Sequence, residues 1–213
     1  MDSLQTIRVL LLGDSGVGKT SIVNYLCKKN EPTAITGWTV SCHLDAIIIE
    51  YGESNNRNKK YLVEFIDVGG GSHGYAASRS VFYTFDISAI LLVHDLSNIR
   101  SFSNLFKWID EFSTVNGVDS STLCNKIPML LVGNKLDKLN TSHHANNNKR
   151  KQQYKKSMKN NIYNMVELST LVNNNDINNR NRNGVNSNNI IRKFNDFFSH
   201  VFNNYNKNNG YRV

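Results

Sequence analysis

Gly13-Asp14-Ser15-Gly16-Val17-Gly18-Lys19-Thr20 combines glycines with a terminal lysine and hydroxyl, in the spacing GxxxxGK[ST]. Glycines let the backbone take positive φ and approach a bulky anion. Successive N–H groups then point at phosphate oxygens, and the N-terminus of a following helix adds its positive dipole end. The candidate phosphate-binding residues are therefore Ser15, Gly16, Val17, Gly18, Lys19, Thr20 and Ser21. Lys19 would bridge β- and γ-phosphate oxygens, and the Thr20 hydroxyl would hold Mg²⁺.

Asn134-Lys135-Leu136-Asp137 addresses the base. A carboxylate at Asp137 can accept two hydrogen bonds, from N1–H and the exocyclic amine of guanine. Adenine lacks that donor pair, so discrimination comes from satisfied against unsatisfied polar groups. The Lys135 stem would lie along the base face, and the Asn134 amide would tie this loop to the phosphate loop. Between the two motifs, Asp67-Val68-Gly69-Gly70 can hold Mg²⁺ through the Asp67 carboxylate and meet a γ-phosphate with the Gly70 N–H. Thr39 could reach the same ion while a γ-phosphate is present. Late in the chain, the backbone of Ser169 and Thr170 could close over the guanine O6. Thr39 and Ser169, each taken singly, also read as ordinary surface residues; the order of the segments speaks for the site.

The elements that must position these residues are legible. Val9 to Leu12, Ile87 to His94 and Met129 to Val132 are apolar runs of the kind found in buried parallel strands. A hairpin is expected between residues 44–51 and 61–66, through a long polar turn over 52–60. Ile22, Val23 and Leu26 put an apolar stripe on the helix after the phosphate loop. Phe102, Leu105, Phe106, Ile109 and Phe112 predict one amphipathic helix over 101–115. Ile190, Ile191, Phe194, Phe197, Phe198, Val201 and Phe202 predict another near the end, closing the sheet or, alternatively, binding a partner. Strands alternating with helices mean an α/β fold with a mostly parallel central sheet covered on both faces.

The order of these segments resembles that of the Ras-like small GTPases, and the chain looks like a Rab relative from about Thr6 to Tyr205. It is similar to the Rab-like 3 family in Gly13 to Thr20 followed by Ser21, in Trp38-Thr39-Val40 with Cys42, and in Asp67-Val68-Gly69-Gly70. It also matches at Val81-Phe82-Tyr83, Val93-His94-Asp95-Leu96 and Lys135-Leu136-Asp137. The resemblance implies a P-loop NTPase of small-GTPase fold with one antiparallel hairpin strand, GTP or GDP with Mg²⁺ as ligands, and no lipid anchor. It implies effector, exchange-factor and activator proteins as partners, with a homodimer as a further possibility. One departure bears on mechanism. Most Ras-like enzymes place a water-orienting Gln directly after the Asp-x-x-Gly glycine; here Gly70 is followed by Gly71, Ser72 and His73. Hydrolysis should be slow, with Gly70, Gly71 and His73 the candidate catalytic positions. His73 also reads as a solvated loop residue. Arg79 could stabilise charge in cis, or could sit on an exposed face.

Composition bounds the rest. A chain of 213 residues fits a single α/β domain. Roughly a third of the residues after Leu139 are Asn, so 140–160 and 172–189 read as polar surface loops or insertions, and 206–213 as a flexible tail. The net charge of +8 draws on Lys149-Arg150-Lys151 and Lys155-Lys156. A solvated face or weak attraction to an anionic membrane fits it; nucleic acid does not, since Tyr154 alone interleaves. Three cysteines without metal-ligand spacing suggest a reducing, cytoplasmic setting. Neither Asp2 nor the last residues carry a lipidation signal. Three function classes follow: a GTP/GDP switch with slow hydrolysis, a GTP-binding interaction module with little hydrolysis, and a P-loop kinase or ATPase. Asp137 argues against the third.

Overall fold

A computed structural model describes residues 4–27, 37, 39–53, 57–71, 76–139, 162–170 and 187–209. His73, the basic run over 149–159 and most of the Asn-rich stretches lie outside the described residues.

The first strand, β1 (Gln5–Leu12), shows why its sequence is apolar almost throughout. Ile7, Val9 and Leu11 face one side of the sheet and Leu10 and Leu12 the other, all fully buried. A strand covered on both faces has no polar side to present. It pairs in parallel with β3 (Arg57–Val68) on one side and β4 (Ala89–Asp95) on the other. β5 (Met129–Asn134) and β6 (Ile162–Glu167) extend the parallel sheet, and β2 (Cys42–Glu53) adds the antiparallel edge, in the order β2-β3-β1-β4-β5-β6. β6 is the short apolar stretch that leads into Leu168, Ser169 and Thr170, although Asn164 interrupts it.

The hairpin is longer than expected: its strands pair out to Glu53↔Arg57, so most of the polar stretch expected as a turn is ladder. On one face α1 (Lys19–Cys27) and α6 (Ser187–Asn209) cover a core that includes Ile22, Val23, Phe194, Phe197 and Phe202. Phe202 stacks on Tyr61 at 4.3 Å between ring centres, and Phe198 meets the Phe65 ring edge-on. The terminal stripe is thus core, apart from Ile191, which stays exposed. α6 begins inside the Asn-rich stretch and runs to Asn209, through part of the expected tail.

On the other face lie α2 (Ala76–Tyr83), α3 (Ile99–Ser103), α4 (Leu105–Val115) and α5 (Ser120–Lys126). The expected single helix over 101–115 is two, parted at Asn104. The Asn104 N–H still bonds the Arg100 carbonyl, while its side-chain amide is drawn to Asp14 of the phosphate loop at 2.8 Å. Phe102, Leu105, Ile109 and Phe112 are buried as the stripe predicts, together with Trp108; Phe106 is exposed and leans edge-on against Phe102.

Parallel register decides where the chemistry collects. Leu11 pairs with Asp67 and Asp95 with Asn134, so the segments after β1, β3, β4 and β5 leave the sheet at the same end.

Candidate functional site

The loop after β1 folds around its own lysine. Lys19 is buried, and its Nζ donates to the carbonyls of Gly13 at 2.7 Å and Asp14 at 3.1 Å. Burial drags its pKa down to about 8, against the attraction of Asp67 and Asp14, with Arg79 adding a smaller repulsion. An ammonium held this way gains from a polyanion beside it. Gly18 takes φ +96°, and a Cβ there would stand 2.2 Å from Asn134 Nδ2. Val17 is buried and its carbonyl accepts from that same Asn134 amide at 3.0 Å. Ser21 lies in the first turn of α1, whose apolar face anchors the loop from behind. Gly16 has φ +75° with open space around it, and Ser15 is exposed.

Three side chains from three segments converge beside this loop. The Thr20 hydroxyl donates a short hydrogen bond to Asp67 Oδ2 and lies 3.0 Å from the Thr39 hydroxyl, which itself reaches Asp67 Oδ2 at 3.4 Å. Burial raises the Asp67 pKa, against the pull of Thr20, Lys19, Thr39 and His43. Its Oδ1 is buried and has no hydrogen-bond partner among the described residues. A hard divalent cation accepts carboxylate and hydroxyl oxygens, and such an ion would satisfy this stranded atom. The donor set therefore fits Mg²⁺.

Glycine at 69 and 70 is what lets the segments close up. The Ser15 N–H donates to the Gly70 carbonyl at 2.9 Å, and the Gly69 N–H to the Ser41 carbonyl at 2.8 Å. A Cβ at Gly70 would stand 2.3 Å from backbone atoms of Asp14 and Ser15, and one at Gly69 would stand 2.6 Å from the Thr39 carbonyl.

Arg79 corrects the expectation of an exposed residue. It is buried, with only 1% of its side chain accessible, and forms a two-pronged pair with Glu111 at 2.9 and 3.0 Å. Its third nitrogen, Nη1, donates to the carbonyls of Gly71 at 2.5 Å and Gly69 at 3.4 Å. Its three nitrogens are engaged by the Glu111 carboxylate and by backbone carbonyls, so a free guanidinium aimed at transferring phosphate is not what the fold builds here. Gly71 itself contributes only main chain. His73 lies outside the described residues.

The base loop is equally well held. Asn134 is the last residue of β5, and Lys135 follows in the left-handed region at φ +62°. Its Nζ pairs with Asp95 Oδ2 at 2.7 Å. Burial opposes the Asp95 charge, yet the bonds from Lys135 and Ser97 outweigh it and hold the carboxyl below its ordinary range. Leu136 N–H donates to the Leu168 carbonyl at 3.1 Å, and Leu168 N–H to Gly133 at 2.9 Å. This brings the stretch after β6 onto the loop, and the Ser169 hydroxyl donates a short bond to Asp137 Oδ1. Thr170 is buried beside it. The Asn134 Oδ1 is buried and without a partner among the described residues.

Sequence reasoning missed Asp95, whose partner is 40 positions away, and it missed Asn104 and Trp108. Asp95 had a visible signal, an acid at the end of an apolar strand; the other two read as helix residues. Among the described residues no further cluster of three His, Cys, Asp or Glu side chains could hold a metal ion, and no helix is long and apolar enough to cross a membrane.

Comparison with known proteins gives a consistent frame. The family profile described as "Ras of Complex, Roc, domain of DAPkinase" matches residues 8–137. Rab-like protein 3 of Mus musculus is 40% identical over 155 residues, covering 65% of this chain and 64% of that protein. Rab-like protein 3 of Xenopus tropicalis is 41% identical over 155 residues, covering 65% of each. Small GTPase LIP1 of Arabidopsis thaliana is 34% identical over 145 residues, 62% of this chain and 41% of that protein. The match thus spans just under two thirds of the length of the Rab-like relatives.

Proposed function

The chain belongs to the Roc family of Ras-like GTPase domains, and from that premise we propose that it is a Rab-like molecular switch that binds GTP and GDP with Mg²⁺ and hydrolyses GTP slowly. The observation that carries the reading is the meeting of Thr39, Thr20 and Asp67. Thr39 belongs to a different segment from the other two and reaches them through its hydroxyl. A segment tied to the site through that hydroxyl changes position when the ion and the γ-phosphate it serves are lost.

The chain's own groups divide the work. Main-chain N–H groups from Gly16 to Ser21 take the phosphate oxygens, and Lys19 neutralises charge between the β and γ groups. Bound Mg²⁺ supplies further positive charge to the phosphate oxygens. Asp137 takes the guanine N1–H and amine edge, the Lys135 stem covers the base face, and Asn134 keeps base and phosphate loops in one piece. Ser169 and Thr170 close the site beside the base. In hydrolysis a water oxygen bonds to the γ-phosphorus, the bond from that phosphorus to the bridging oxygen breaks, and the water proton leaves on phosphate. Gly71 has no side chain to orient that water, which supports slow turnover. An exchange factor, an activator and an effector, each a protein, would complete the cycle.

The test begins with the nucleotide released from the purified, denatured chain and identified by chromatography. GDP or GTP is expected. Single-turnover hydrolysis with Mg²⁺ then gives the rate, expected to be slow without an activator. Adenine nucleotide, or no affinity for any guanine nucleotide, overturns the reading.

A further inference from the structure

Asp14 places a carboxylate inside a loop read as holding a polyphosphate. A negative charge free to swing there would repel the ligand, since charges a few ångströms apart at a partly buried site interact strongly. The fold turns it away. Asp14 Oδ1 accepts from the Trp108 indole N–H at 2.8 Å, and Oδ2 accepts from the Asn104 amide at 2.8 Å. Both donors come from the helix region on the opposite side of the phosphate loop's contacts with α1 and Asn134.

The clamp is itself braced. Trp108 is 6% exposed, and the Arg79 guanidinium lies over its ring at 4.8 Å. Arg79 is in turn fixed by Glu111. The indole therefore cannot turn its N–H elsewhere without breaking a buried ion pair's packing. Asn104, at the junction of α3 and α4, serves the same end. Meanwhile the Asp14 carbonyl accepts from Lys19 Nζ. One residue thus gives its backbone to the phosphate-binding lysine and its side chain to α4.

We propose that Trp108 and Asn104 are positioning residues for the nucleotide: they hold the Asp14 carboxylate off the phosphate cradle and so set how long a bound triphosphate stays. The inference rests on the reading that this chain binds guanine nucleotide. It assigns to a helix outside the site a direct part in nucleotide retention, exercised through one charge.

The test is a cycle of variants on the full chain, reading dissociation of fluorescently labelled GTP and GDP. Trp108→Phe keeps the ring and removes the donor; Asn104→Ala removes the other donor and stands in should Trp108→Phe fold poorly. Either should speed GTP release about tenfold, the size of a lost hydrogen bond to a charged group. GDP release should change less, because the γ-phosphate carries the added charge. Combining either change with Asp14→Ala should bring release back to within about threefold of the parent, since there is then no carboxylate to restrain. A purely structural role for Trp108 would leave the double variant as fast as the single one, and that result overturns the proposal. Equal release from parent and single variants overturns it too. In both cases the parent still binds nucleotide; a parent that binds none removes the underlying reading instead.

Discussion

On the proposed reading, Asp137 is the residue on which base choice turns. Its carboxylate accepts from the Ser169 hydroxyl through Oδ1. Asp137→Asn replaces an acceptor by a donor against the guanine edge. The loss of a charge-assisted, two-point contact should cost about 2–3 kcal/mol, or roughly thirty- to a hundredfold in affinity. Xanthine nucleotide, whose altered edge supplies the complementary group, should gain. Competition titrations with the two bases measure both changes, and unchanged GTP affinity would take Asp137 out of the site. On the same reading, Gly71 is the position that limits rate. Its carbonyl is pinned by Arg79, so a side chain grafted there would leave a backbone that is already held. Gly71→Gln should speed single-turnover hydrolysis about tenfold, at the low end of what positioned groups contribute. A folded variant that binds GTP and hydrolyses no faster would show that water orientation at this position is not limiting.

The elements determine whether those residues meet. α4 carries Glu111, Trp108 and the hydrophobic stripe on one helix, and each ties down something different. Glu111 takes Arg79 and the Tyr83 hydroxyl, so α2 and the backbone at Gly69 and Gly71 all hang on it. Glu111→Ala would leave a guanidinium buried and unpaired. Breaking one side of a buried ion pair costs about 3 kcal/mol, which urea unfolding should register, with release of GTP faster as the backbone after Asp67 loosens. A loss below about 1 kcal/mol would mean that water reaches Arg79 freely. Periodicity predicted the buried face of α4 correctly in Leu105, Ile109 and Phe112. It had no means of predicting that Asn104, at the junction of α3 and α4, bonds a residue 90 positions earlier.

For the whole molecule the question is what keeps the sheet closed. α6 covers one face through five core residues, Phe194, Phe197, Phe198, Val201 and Phe202. Phe202 is packed between Phe198 and the rings of Tyr51 and Tyr61, near the antiparallel edge of the sheet. Phe202→Ala should cost about 3–5 kcal/mol, the transfer term plus the cavity left behind. A fall in the midpoint of thermal unfolding with nucleotide affinity at low temperature unchanged would separate this closure from the site. An effect smaller than about 1 kcal/mol would show that the helix end is peripheral to stability.

The sequence alone determined the motifs and most of the architecture, because both are written locally. A phosphate loop is consecutive residues, Asn134 to Asp137 is consecutive residues, and an apolar run such as Val9 to Leu12 can only be a strand covered twice. From these come the α/β class, the order of the segments and the expectation of a guanine nucleotide. Tertiary structure alone decided which side chains serve one another. Arg79 read as a surface residue and is the buried brace of the Gly69–Gly71 backbone. Asp14 drew no reading of its own within the glycine-rich turn and is anchored to Trp108 and Asn104. Asp95 stood just past the apolar run that ends at His94 and is the partner of Lys135. Each of these pairings is set by strand register and helix packing across 32 to 94 positions of chain, and hydrogen bonds between partners so far apart leave no periodic trace in a sequence.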